Sequence, residues 1–143
     1  GIGELVCGGF ATNDLSAGDA LVSDLLGLIE ARPFDCLYTH WRDDGHLDHR
    51  ALALASLSAA RHLPRILMYR SNSYVSGRPF DGRFYVDVSE HMETKLQALR
   101  AHRSEVDRLG EAWLAGIEAE NRRAGHAIAV EFAECFEVAK YLW

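Results

Sequence analysis

Between a short apolar run and an alanine-rich segment the chain reads Asp43-Asp44-Gly45-His46-Leu47-Asp48-His49-Arg50. That is two imidazoles, three carboxylates and a guanidinium in eight positions. A packed core has no use for so many titratable groups; acid–base or metal chemistry has. His46 and His49 are three apart, so at a helix start both rings project from the first turn. One can bind a metal while the other faces a substrate. Imidazole with carboxylate suits zinc, which lowers the pKa of a bound water and polarises a carbonyl oxygen. Asp48 can hold one ring by its Nδ1–H, fixing the tautomer. Asp43 and Asp44 can serve as further ligands or as caps. The same H-x-x-H spacing also suits a solvated helix start with Asp caps, and spacing alone does not separate the two.

Position favours chemistry. Phe34 to Thr39 reads as a short strand apolar enough to be buried on both faces, and Asp48 to His62 as a helix ended by Pro64. The motif therefore sits at the C-terminal end of a strand, where α/β sheets bind ligands. Upstream, Ser16 to Ala31 reads as a helix capped by Ser16, with Leu21, Val22, Leu25, Leu26, Leu28 and Ile29 as its apolar stripe and Pro33 closing it. Arg65 to Arg70 is a second strand. The order helix, strand, helix, strand with short connections predicts a parallel sheet with crossover helices. Ser71 to Gly82 is a loop and Phe84 to Val88 a third strand. A long helix runs from Ser89 to a break at Gly110, another from Glu111 to Ala124, and Ile128 to Val138 reads as an edge strand.

The 143 residues make one domain or part of one. With 48% hydrophobic and 25% charged residues and no low-complexity tract, the composition is that of a globular chain. A net charge of −6 argues against nucleic acid or an anionic membrane surface as partner. No apolar run is long enough to span a bilayer. Cys7, Cys36 and Cys135 are widely spaced and odd in number, which reads as reduced and cytoplasmic. The sequence leaves a homo-oligomer open. The opening Gly1-Ile2-Gly3 is not a start, and predicts a chain lacking an N-terminal segment.

Other residues are weaker candidates. Arg70 and Asn72 follow the second strand and would share a sheet edge with the histidines, where Asn and Arg suit hydroxyl-rich ligands. Trp41 adjoins the motif and can stack on a sugar. Tyr74, Arg78 and Arg83 lie in or beside a loop able to line a substrate. Asp14 follows another strand-like end, where a turn residue is the default. His40 reads as a satisfied loop histidine, and His62, His91, His102 and His126 as surface or structural residues.

The stretch from Tyr38-Thr39-His40 to Asp44-Gly45-His46-Leu47-Asp48-His49-Arg50 resembles the second motif of the LmbE/PIG-L family of metal-dependent N-deacetylases, roughly T-H-x(n)-H-P-D-H-R. Lys95 to Glu105 is similar to that family's K-x-x-A-L-x-x-H-x-S-Q/E segment, and Ala133-Glu134-Cys135-Phe136 to its terminal A-E-x-F. The three together span most of the chain in the family's order. The resemblance implies a Rossmann-like three-layer α/β sandwich with a mostly parallel sheet, lacking its first strand or strands. It implies hydrolysis of the acetamide of an N-acetylated sugar, of the N-acetylglucosamine type. It implies a zinc ion held by a His and an Asp of an A-H-P-D-D-E motif and by the last His of H-P-D-H, here His49. His46 would match the imidazole that stabilises the oxyanion, with Asp48 orienting and charging it, and His102 would matter as part of its segment. The general base would be an Asp of A-H-P-D-D, a motif this sequence does not contain. The expectation is thus the C-terminal portion of one deacetylase domain, inactive alone. Leu47 stands where the family has Pro, which loosens the first helical turn without removing a ligand.

Two other readings stand beside this one. A non-catalytic α/β carbohydrate-binding or assembly module would keep the sheet without a complete metal site. A different metal hydrolase would bring His40, Asp44 and His49 onto one cation.

Overall fold

A computed structural model describes residues 2–72 and 74–143. They form two compact units, residues up to Asp81 with Glu137–Trp143, and Gly82–Phe136.

In the first unit, α1 (Asp19–Glu30) precedes β1 (Cys36–His40), α2 (Leu47–Ala59) and β2 (Arg65–Tyr69). Gly18, not Ser16, is the N-cap of α1, and no side chain caps it; Asp19 places a carboxylate in the positive first turn instead. Leu21 is the fully buried residue of this helix, while Leu28, expected on its inner stripe, is exposed. The helix α2 turns Ala53, Ala55, Ser56 and Ala59 inward. Such small residues let a helix lie close against what it covers. The strands β1 and β2 run parallel, with His40 opposite Tyr69. Trp41 continues the ladder by donating its N–H to the Tyr69 carbonyl at 2.8 Å. The core of this unit centres on Ile66, Leu67 and Met68 of β2, all buried.

The last strand, β4 (Ala133–Tyr141), is not the edge strand that its composition predicts, because it is paired along both halves. Its second half lies antiparallel to β2, with a bulge between Ile66 and Leu67. Its first half lies antiparallel to β3 (Phe84–Asp87) in the second unit. The α/β class stands, but the strand pairs are mixed, one parallel and two antiparallel. The reason is the helical stretch before β4. It returns the chain in the opposite direction, which periodicity within a segment does not encode.

The second unit holds β3, the start of β4 and three helices that pack on one another. The helical stretch after Ser89 is divided into α3 (Met92–Arg100), α4 (Arg103–Leu109) and α5 (Glu111–Ala127). His102, which the sequence places inside a helix, stands at the break between α3 and α4, with ψ at 68°. Gly110, at φ 71°, makes the next break, in a region that glycine enters without penalty. Met92, Leu96, Leu114 and Phe132 form the buried cluster, with Val88, Leu99 and Trp113 against it. Lys95 pairs with Glu134 and donates to Asn121 Oδ1 at 3.0 Å. The lysine of the K-x-x-A-L segment and the glutamate of A-E-x-F thus meet as one ion pair, which ties α3 to β4.

Candidate active site

The residues from His40 to Arg50 bridge the end of β1 and the start of α2, all within the first unit. Asp44 organises them. Its side chain is 1% exposed. Oδ1 accepts the backbone N–H of His46 at 2.8 Å, the two-residue Asx geometry common before helices. The same oxygen lies 3.2 Å from Nδ1 of His49. Oδ2 is buried without a hydrogen-bond partner among the described residues. The sequence offered Asp44 only as a spare ligand or cap; the Asp-Gly-His order was the signal for this turn.

The two imidazoles are fixed in opposite tautomers. His46 is the N-cap of α2, and its Nδ1 accepts the backbone N–H of Asp48 at 3.1 Å. A ring nitrogen that accepts carries no proton, so the proton of His46 sits on Nε2, a donor. His49 Nδ1 faces the Asp44 carboxylate and, at 3.3 Å, the Ser71 hydroxyl. That nitrogen keeps the proton, and Nε2 of His49 presents a lone pair. The rings stack with centroids 4.6 Å apart.

Asp48 does not do what the sequence suggested. Its carboxylate accepts the backbone N–H of Asn13 at 2.7 Å and of Leu15 at 3.4 Å. It ties the segment before α1 to the start of α2, while its backbone, not its side chain, meets His46. Asp14, between those two donors, takes the turn role, its N–H donating to the Ala11 carbonyl at 3.4 Å.

His40 is the residue the sequence undervalued. Its ring stacks on His49 at 4.0 Å with a 5° interplanar angle, and Tyr69 leans on it at 4.9 Å. Burial, reinforced by the neighbouring His49, pushes His40 down to about 4, so it is neutral at pH 7. Burial also raises the Tyr69 phenol, which keeps its proton. The neutral His40 ring therefore walls one side of His49, with Tyr69 behind it.

Trp41 is a correction. It is 1% exposed and offers no face to a sugar. Its indole N–H donates to Glu137 Oε2 at 3.0 Å, Phe80 meets it edge-on at 5.4 Å, and the Arg78 guanidinium lies 5.6 Å over its ring. A large apolar ring beside a strand end is worth more buried than displayed. Arg78 also donates from Nε to Asp43 Oδ2 at 2.5 Å and pairs with Glu137. Arg70 and Asn72 follow β2 as expected, and Arg70 lies 5.6 Å over the Phe80 ring.

No three His, Cys, Asp or Glu side chains converge to hold a metal among the described residues. His40, Asp44 and His49 touch, but as a stack and a hydrogen bond rather than as a chelate. Zinc takes three or four protein donors, so the described residues do not by themselves fit a zinc ion. They supply one presented imidazole.

No family model and no curated protein matches the sequence. Among the solved structures that share the fold are these two. One is a conserved protein from Thermus thermophilus, with a TM-score of 0.77 at 22% identity, covering 94% of this chain and 65% of that one. The other is the N,N'-diacetylchitobiose deacetylase of Pyrococcus horikoshii, with a TM-score of 0.75 at 18% identity, covering 90% of this chain and 54% of that one. The chain thus spans under two thirds of the length of either. At these identities the likeness establishes the α/β fold.

Proposed function

We propose that this chain is the histidine-bearing part of a metal-dependent N-deacetylase, a hydrolase that cleaves the acetamide of an N-acetylated sugar of the N-acetylglucosamine type. The observation that carries the reading is the pair of Nδ1 contacts: His46 Nδ1 accepts the Asp48 N–H, which leaves its Nε2 to donate, and His49 Nδ1 faces the Asp44 carboxylate, which leaves its Nε2 to offer a lone pair. Hydrolysis of an amide needs both. A donor must meet the negative oxygen of the tetrahedral intermediate, where such contacts supply the largest share of catalysis. A bare imidazole nitrogen is what a zinc site takes from a histidine. In this reading His46 is the oxyanion donor, held by the N-terminus of α2 rather than charged by Asp48. His49 is this chain's one zinc ligand, and Asp44 is its positioning carboxylate. The remaining ligands and the general base come from outside these 143 residues. Arg70 and Asn72, at the end of β2, are the proposed contacts to sugar hydroxyls; Trp41 is withdrawn. The fold shared with a chitobiose deacetylase supports the substrate class. The odd number and wide spacing of Cys7, Cys36 and Cys135 are the basis for placing it in a reducing, cytoplasmic setting.

The test is acetate release by the parent protein from a panel of N-acetylated sugars, with and without a chelator. Chelator-sensitive release that His46→Ala abolishes is expected. The second reading is a carbohydrate-binding or assembly module without catalysis. Sugar binding with no acetate release from any of the panel would select it.

A further inference from the structure

The segment that follows β2 touches the histidine motif at three points. At its start, the Ser71 hydroxyl lies 3.3 Å from His49 Nδ1. At its far end, Arg78 bonds Asp43 and Glu137 and covers the Trp41 ring. Ser76 tightens that end, its hydroxyl donating to the Arg78 carbonyl at 2.6 Å. Between these anchors Tyr74 presses on Gly45, the residue directly before His46. A Cβ on Gly45 would stand 2.7 Å from Tyr74 Cβ, 3.6 Å from its Cγ and 3.0 Å from the Val75 carbonyl oxygen. Only a residue without a side chain lets the root of Tyr74 come so close to the motif. Tyr74 nevertheless remains 42% exposed.

An aromatic residue rooted one residue from the proposed catalytic imidazole and still open to solvent offers a contact surface. We propose that Tyr74 is the sugar-binding platform of this site and a specificity determinant for substrates with a pyranose ring. The inference rests on the deacetylase reading above and adds to it the residue that recognises the ring rather than the acetyl group. The chemistry is specific to a saturated ring. A pyranose carries hydroxyls around its rim and C–H groups on its faces, and the C–H face packs on an aromatic ring without desolvating the hydroxyls. Ser71 and Arg78, which flank Tyr74 in the chain, both contact the motif, and an aromatic rooted against the motif contributes usefully to affinity. The role expected of Trp41 falls to Tyr74 because Trp41 is committed to packing.

The test uses the 143-residue chain and N-acetylglucosamine as probe, by saturation-transfer NMR and titration. The wild type is expected to pass saturation to the pyranose C–H protons as well as to the acetyl methyl. Tyr74→Ala weakens binding by roughly tenfold, the effect of one lost aromatic contact, and loses the ring-proton signal relative to the methyl. Tyr74→Phe restores both, and Val75→Ala, at a neighbour 97% exposed, changes neither. Glucosamine, which shares the ring and lacks the acetyl group, is weakened by the same factor in Tyr74→Ala. Unchanged affinity in Tyr74→Ala overturns the inference and leaves the deacetylase reading intact. Loss of binding in Tyr74→Phe as well overturns it in favour of a purely structural tyrosine. A wild type that binds no N-acetylglucosamine also overturns it, and acetate release by the parent then decides separately whether the reading falls too.

Discussion

One buried carboxylate sets the chemistry of two histidines. Asp44 holds the His46 backbone and the His49 ring at once, so its removal acts on both. Asp44→Asn keeps the shape and removes the charge that favours the Nδ1–H tautomer of His49. Outer-shell partners of this kind are worth roughly 10–100-fold in metal affinity. On the proposed deacetylase reading, zinc titration is therefore expected to show a loss in that range, with an unchanged far-ultraviolet spectrum. His40 gives a second expectation. Its pKa is depressed from 6.5 to about 4 by burial first and His49 next, with the Asp44 charge opposing and His46 adding to the depression. The unfolded chain thus binds this proton more readily than the folded one. The stabilising contribution is complete above about pH 6.5 and is lost as pH falls toward 4. Screened by solvent at a half-buried ring, it is on the order of 1–2 kcal/mol. Urea midpoints measured from about pH 7.5 to 4 should fall, and His40→Leu should flatten that slope. Equal slopes in both proteins would show that the His40 ring is not the group responsible.

Two glycines decide how closely segments approach. Gly45 faces the Tyr74 Cβ and the Val75 carbonyl. Gly45→Ala must push the segment after β2 away from the motif, costing about 1–3 kcal/mol as overpacking does. Chemical denaturation measures the loss, and His49 should lose its Ser71 contact. Gly125 of α5 is tighter, because a Cβ there would meet the Glu131 carbonyl oxygen at 2.7 Å and the Val130 oxygen at 2.8 Å. Both obstacles are backbone and cannot rotate aside. Gly125→Ala is therefore expected to destabilise the second unit by at least as much, read as faster amide exchange in α5 and β4. If Gly125→Ala is neutral, the turn at Ala129, with φ at 60°, has opened to admit the methyl group.

Across the whole chain, a net charge of −6 predicts no retention on a polyanionic matrix at neutral pH and low salt; retention would reveal a basic face that the net charge conceals. Local order was open to reading in the amino acids themselves. Apolar runs between prolines gave β1, α2 and β2, and the Asp, Gly and His around position 45 gave the strand-to-helix site, because periodicity, caps and turns depend on neighbours in the chain. Three things were decided only by folding. Asp48 turned to the Asn13 and Leu15 amides and left the histidines to Asp44 and to the helix terminus. His40 became a half-buried neutral wall and Trp41 a sealed packing residue. The last strand reversed direction and paired with both β2 and β3. Each depends on which distant group arrives within a few ångströms, and burial and partner choice at that range are properties of contacts that a linear pattern does not contain.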